Sequence, residues 1–383
     1  MTGKDPNVPR TPTPAAMPVA DLMRQIASLP TASFREEHVV AALRRFAEER
    51  GLAFREVAGG NVLIEYRQGR GHRPLVLGAH MDHPGFLVEA ARGRRLTLAF
   101  RGGMAATYGR DESVHIYGRD GIWRGSATIT AVQASKAPAA GRLVGASATL
   151  DAGIAEVGDF ALWDVEVCRI KGRVAYARQC DDLAGVVAIL ATLDRMAASG
   201  APGHVLGLFT RAEEVGLIGA AAVAKAGVLP KDAVVIAVEC SSMAGGRAEQ
   251  GEGPIIRVGD VQHIFSPRVT MWMTQVAREI AAEDRGFKYQ RKLMDGGTTE
   301  ATAYDLMGYE TGAACMALGN YHNAGPRGRV AAETIHLGDL EGLARLFERM
   351  ARDTRRLEAV ESDARKRWAG IGAEAGKRLK AGE

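Results

Sequence analysis

Apolar residues in this chain gather in short continuous runs, and several of the runs end in a charged or imidazole side chain. LVLGA, Leu75 to Ala79, leads into His80 and Asp82; the run from Val205 to Phe209 leads into Glu213 and Glu214; VVIAV leads into Glu239; CMALGNY leads into His322. An uninterrupted apolar run of strand length marks a strand buried on both faces, the kind found at the parallel centre of an α/β sheet. Between these runs the period changes. DLMRQIASLP and TASFREEHVVAALRRFAEER carry apolar residues at i, i+3 and i+4, with Thr31 or Ser33 as the expected N-cap of the second helix. Further helices are expected from Asp182 to Met196, over SPRVTMWMTQVAREIAAED and over LGDLEGLARLFERMARDTRRLEA.

From Glu89 to about Ala177 the texture is different: RLTLAF, SVHIYG, ATITAV, RLVGAS and VCRIKGRVAYA are short β-like runs broken by Gly, Asp and Arg. The expected architecture is α/β, a mixed central sheet flanked by helices, with an inserted small all-β domain. Residues 21–88 with 178–350 form the α/β domain and 89–177 the insertion. Residues 1–20, rich in Pro and Thr, are expected to be a disordered lead-in, and 351–383 a charged helical tail.

Composition narrows the function classes. A chain of 383 residues, 46% of them hydrophobic, can bury a large core. Lys+Arg 49 against Asp+Glu 45 leaves only +4, and the basic residues are scattered except near the C-terminus, so no nucleic-acid partner is expected. The N-terminus lacks the apolar core of a signal peptide and no segment is apolar enough to span a membrane, which predicts a soluble protein. Cys168, Cys180, Cys240 and Cys315 form no CxxC pair, so neither a disulfide framework nor a thiolate metal site is expected, and a reducing cytoplasm fits. P-loop, dinucleotide-binding and serine-hydrolase motifs are missing from the sequence.

The run ends carry the chemistry. His80, Asp181 in RQCDDLAG, the pair Glu213 and Glu214, Glu239 and His322 each follow a resumption of the α/β pattern. Singly they mean little, since a strand-end His is usually a hydrogen-bonded core residue, an adjacent Asp pair an N-cap and an adjacent Glu pair a solvated face. At one edge of one sheet they supply two imidazoles and several carboxylates, the ligand set that two divalent cations need.

AHMD, CDDLAG, EEVGLIGA, the acid after VVIAV and the late His resemble the co-catalytic metallopeptidases, and most closely the M42 aminopeptidases. EEVGxxGA is shared with the M20 deacylases and carboxypeptidases, but the β-like insertion lies in the long gap between Asp82 and Asp181, whereas M20 enzymes insert their lid between the fourth ligand and the final His. GEGPIIR and the DGGTTEA loop also look like M42 features, and the resemblance covers roughly Leu22 to Arg349.

It implies a zinc-peptidase-like domain with Asp181 as bridging carboxylate, His80 and Glu239 on one metal, Glu214 and His322 on the other, and Glu213 as general base. Asp82 would accept the His80 N–H and fix its tautomer. The implied cofactors are two divalent ions, zinc first, cobalt or manganese otherwise; the implied partners are a peptide substrate and further copies of the chain. The sequence departs from the family pattern at His83, Leu183, Thr299 or Glu300, and Glu239, where an Asp is usual. His83, Thr299 and Glu300 are candidate substrate-pocket residues, His83 alternatively a loop residue with no catalytic role. The expected activity is a two-metal aminopeptidase. An M20-like amidohydrolase on another amide is one alternative, and a catalytically silent scaffold is another.

Overall fold

In the computed structural model, which describes residues 15–136, 141–246, 248–352 and 356–382, the apolar runs form the centre of an eight-stranded mixed sheet. Its order is Ala53–Val57, Asn61–Gln68, Gly203–Thr210, Leu75–His80, Val234–Ser242, Glu310–Leu318, Ile255–Arg257, Gln290–Lys292. Four neighbouring strands, Gly203–Thr210 to Glu310–Leu318 in that order, run parallel. Thr210 lies opposite His80 and Ala237 opposite Gly78, which carries Glu239 to the level of His80. The carboxyl ends therefore finish together along one edge, where ligand chemistry gathers in open α/β sheets.

Helices cover both faces. Leu183–Ser199 is apolar on all sides from Leu183 to Ala191 and is buried between the sheet and Leu337–Arg352. Ile218–Ala226 and Glu300–Leu306 pack on the opposite face around Val76, Leu206, Leu208 and Tyr304. The helix Glu37–Arg50 stops at Gly51, whose φ of +62° is the left-handed geometry that glycine adopts without steric cost. Its start corrects an expectation, because neither Thr31 nor Ser33 caps it. Thr31 Oγ1 donates to the Met81 carbonyl at 2.8 Å and Ser33 Oγ to Asp82 Oδ2 at 2.7 Å, so both hydroxyls are drawn to the sheet edge instead.

The β-rich segment closes into a six-stranded barrel: Gly85–Arg92, Arg95–Arg101, Leu143–Gly153, Trp123–Ala134, Ser113–Tyr117 and Phe160–Trp163. Phe86, Leu98, Phe100, Ile116, Ile129 and Trp163 fill it, a core separate from that of the large sheet. Its strands run from Gly85 to Trp163. Cys168–Lys171 and Val174–Ala177, read from sequence as part of the insertion, instead pair with Glu333–His336 in a small three-stranded sheet. Ala177 stands opposite Glu333 there, which brings Glu333 beside Asp181.

At the N-terminal side the Met17 N–H donates to Asp194 Oδ2 at 2.7 Å and the first helix is Val19–Ile26, so packing begins before residue 21. The expectation of disorder for residues 1–14 falls outside the described residues. The last helix, Arg356–Ala381, is 26 residues long. Among the described residues no helix is long and apolar enough to cross a membrane.

Candidate metal centre

The sheet edge gathers the run-end residues. Asp181 Oδ1 lies 3.4 Å from His80 Nε2 and its Oδ2 lies 3.6 Å from His322 Nε2. His322 Nε2 is 3.1 Å from Glu214 Oε1, and His80 Nε2 is 3.9 Å from Glu213 Oε2. Potential ligand atoms of His80, Asp181 and Glu239 all fall within 4.8 Å of one another, as do those of Asp181, Glu214 and His322. Two triads thus share Asp181, one of its oxygens facing each. Asp181 Oδ1 and Glu239 Oε1 are buried with no hydrogen-bond donor. A carboxylate oxygen left so is costly unless a cation meets it, and imidazole with carboxylate suits zinc, cobalt or manganese.

Charge repulsion tells the same story. Burial first, then the neighbouring carboxylates, drive Glu213 well above the ordinary carboxylate range. Burial likewise pushes Glu239 up to about 8, with Asp181 adding to it. Asp181 runs the other way: burial would raise it, but the His322 and His80 imidazoles hold it well below the ordinary range. Burial also lifts the Cys240 thiol well above its usual value, so this neighbour is a neutral S–H rather than a thiolate ligand.

A set of main-chain bonds aims these side chains. His80 Nδ1 donates to the Asp82 main-chain carbonyl at 3.0 Å and His322 Nδ1 to that of Gly103, in the barrel, at 2.5 Å. A carbonyl can only accept, so each ring keeps a proton on Nδ1 and has Nε2 as the nitrogen that can ligate a cation at the centre. Asp82 therefore orients His80, but through its backbone and not, as expected, its carboxylate, whose Oδ1 is 3.6 Å away. That carboxylate is taken up by Ser33, by the Glu213 N–H at 2.9 Å and by the Glu214 N–H at 3.3 Å. Glu333 plays the matching part across the site, accepting from the Asp181 N–H at 2.9 Å and the His322 N–H at 2.8 Å. His322 holds φ at +53°, between Asn320 at +53° and Asn323 at +62°, backbone strain of the kind found at functional sites. The Tyr321 ring stacks on the imidazole with centroids 3.8 Å apart.

Beside the two triads opens a cavity of about 400 Å³, walled by Arg257, Ser241, Met294, Thr299 and Tyr321 among others. Thr299 is thus at the wall, its N–H and hydroxyl anchored on Asp260. The other two pocket candidates are not. His83 is fully buried behind the triads, its Nδ1 on the Asp181 carbonyl at 2.5 Å and its Nε2 on Asn323 Oδ1 at 3.0 Å, so both ring nitrogens are engaged inside the protein. Glu300 turns away under the strand Leu75–His80, into the space left by Gly78, and burial pushes it up to about 7. Sequence reasoning missed Arg257, which is buried at the wall and donates to the Met294 carbonyl at 2.9 Å. It also missed Ser33, Gly103 and Glu333. The GEGPIIR segment ends in Arg257 and was the one signal that could have found any of them.

A family model described as M42 glutamyl aminopeptidase matches residues 60–346. Solved structures share the fold. An aminopeptidase from the archaeon Desulfurococcus kamchatkensis aligns with a TM-score of 0.74 at 23% identity, over 89% of this chain and 97% of that one. The Pyrococcus horikoshii TET1 peptidase, described as assembling into a tetrahedron or a large octahedral shell, aligns at 0.70 and 22% identity, over 87% and 99%. An M18-family aminopeptidase from Thermotoga maritima aligns at 0.65 and 15% identity, over 86% and 95%.

Proposed function

The chain belongs to the M42 family of metallopeptidases, and from that premise we propose that it is a two-metal aminopeptidase releasing N-terminal residues from peptides. The observation that carries this reading is the pair of ligand triads sharing Asp181, with Glu213 beside them. His80 and Glu239 would hold one cation, Glu214 and His322 the other, and Asp181 both. Zinc fits this donor set, cobalt and manganese being the alternatives. When bound, such ions supply the Lewis acidity that acidifies water and polarises the scissile carbonyl.

The chain's own residues do the rest. Glu213, whose Oε2 lies 3.9 Å from His80 Nε2 at the edge of the triads, takes a proton from the attacking water on its carboxylate and delivers it to the nitrogen of the leaving amine. Asp82 fixes the backbone of Glu213 and Glu214, so that one acid can address water while its neighbour addresses a cation. A wall rich in carboxylates suits a substrate with a free, cationic α-amine, and the cavity's size suits a peptide end. This feature and the position of the barrel disfavour the M20-like amidohydrolase; the complete ligand set disfavours a silent scaffold. Homo-oligomerisation is part of the reading, supported by the assemblies described for TET1. A reducing cytoplasm is supported by four unpaired cysteines.

The test is a panel of amino-acyl anilides and N-acylated amino acids, run before chelation, after it, and after re-addition of Zn²⁺, Co²⁺ or Mn²⁺. Hydrolysis of the anilides alone, lost on chelation and restored by metal, is expected. Preferred cleavage of the N-acyl substrates would transfer the chain to the amidohydrolases, and turnover by protein shown to be metal-free would discard the mechanism.

A further inference from the structure

The helix Arg356–Ala381 has no part in this chemistry and begins after residue 346, where the family match ends. One stripe along it, Leu357, Val360, Ala364, Trp368, Ile371, Ala375 and Leu379, keeps i, i+3, i+4 spacing and holds all its large apolar side chains. The pattern repeats from Leu357 to Trp368 to Leu379, an interval that keeps the stripe almost parallel to the helix axis. The body uses only its beginning: Leu357 is buried and Val360 packs against the core. Beyond Ala364 the stripe runs on into solvent, with Trp368 70% and Leu379 79% exposed. Beside it Trp368, Met271 of the helix Pro267–Glu283 and the side chains of Arg278, Arg291 and Arg367 line a groove of about 520 Å³.

We infer that the outer half of this helix is a contact between copies of the chain, its occupant being the same helix of a second copy running antiparallel. The inference rests on the homo-oligomeric reading above and assigns it a surface. Self-complementarity is what selects this occupant. With Trp368 set opposite Ile371 of the second copy, Ala364 falls opposite Ala375 and Val360 opposite Leu379, so every stripe position from Val360 to Leu379 meets another stripe position. A two-fold pair also sets each flank of the helix against itself in reverse. One flank carries Asp363, Arg367, Glu374 and Arg378. Reversed upon itself, it brings Asp363 towards Arg378 and Arg367 towards Glu374, unlike charges in each case. A partner without this sequence would have to match both patterns independently.

The experiment is solution mass by light scattering, with anilide hydrolysis measured on the same samples. It compares the full chain, a chain ending after Ala364, the double variant Trp368→Glu with Ile371→Glu, Arg378→Asp alone, and Arg378→Asp combined with Asp363→Arg. The residues changed are exposed, and of the described residues removed only Ala375 is half-buried, so hydrolysis per chain serves as the control for an intact fold. The expected result is a mass at least two-fold lower for the truncation and the double variant, weaker association for Arg378→Asp, and recovery when Asp363→Arg is added. An oligomer of unchanged mass in the truncated and doubly substituted chains overturns the contact while leaving homo-oligomerisation standing. A full chain that is monomeric at every concentration overturns both, and the hydrolysis assay still decides the peptidase reading separately.

Discussion

Changing Glu333 to Gln tests whether the ligands are held by the bonds identified here. Each Glu333 oxygen accepts one main-chain N–H, from Asp181 on one side and His322 on the other. The glutamine side chain has the same shape, but one of those oxygens becomes an NH₂ facing a donor. One bond to a carboxyl oxygen is lost and two buried donors are left pointing at each other, together worth about 1.5–3 kcal/mol. At about 1.4 kcal/mol per factor of ten, that is roughly 10- to 150-fold in any equilibrium the bond supports. The cost of removing a group that orients a metal ligand is independently put at about 10–100-fold in metal affinity. The two estimates overlap. Because Asp181 belongs to both triads, Glu333→Gln is expected to weaken both cations by that order while activity at saturating metal recovers most of its value. Chelator competition, with metal content measured on the purified protein, reads the affinity, and thermal melting reads the fold. Wild-type metal affinity beside a lowered melting temperature would show that Glu333 only supports packing, and the reasoning would be wrong.

The adjacent acids should separate by role: Glu213→Gln keeps two metals and loses roughly 10²-fold or more in kcat, whereas Glu214→Gln loses metal and regains activity at high metal concentration. Reversed outcomes in metal analysis and steady-state kinetics would exchange the assignments. Glu300 gives a pH signature in cation-free protein, because its folded-state value of about 7 lies above its ordinary 4.5. Between those values the folded state holds a proton that the unfolded chain has released, so stability is whole below pH 4.5 and falls as pH rises through 7, by about 3 kcal/mol. Glu300→Gln removes that slope, so denaturant unfolding at pH 5 and pH 8 should show a variant closer to pH-independent than the parent; equal slopes would refute it.

How much of this could be read from the chain follows from the range of the forces involved. The parallel strands are legible because every residue of LVLGA or VVIAV is buried, and the residue that ends such a run must stand at the sheet edge. The same logic brought His80, Glu213, Glu214, Glu239 and His322 to one place, whereas Asp181 arrives from the turn between Val174–Ala177 of the small sheet and the helix Leu183–Ser199. Ser33, Gly103 and Glu333 act instead through individual hydrogen bonds, to the Asp82 carboxylate, to the His322 ring, and to the N–H groups of Asp181 and His322, and no local period announces such a bond. His83 and Glu300 misled for a related reason. Standing next to a site residue in sequence does not say which way a side chain turns, and the space beside Gly78 and the acceptors around Asp181 decided that. The barrel's existence was visible in its alternating runs, but the partner of Val174–Ala177 was not, since that strand pairs with Glu333–His336, beyond most of the α/β domain.

The carbonyl of Gly103 gives the insertion a significance that its separate core conceals. A barrel with its own hydrophobic filling looks like a module that could be exchanged between relatives or trimmed by an engineer. Yet the tautomer of His322 is set from inside that barrel, between the strands Arg95–Arg101 and Ser113–Tyr117. Any chimera that imports a foreign barrel must therefore reproduce one carbonyl at one position, or it will fold and still present the wrong nitrogen. The two bodies are separable as architecture and inseparable as an enzyme, which ties the drift of the insertion to the chemistry of the sheet edge.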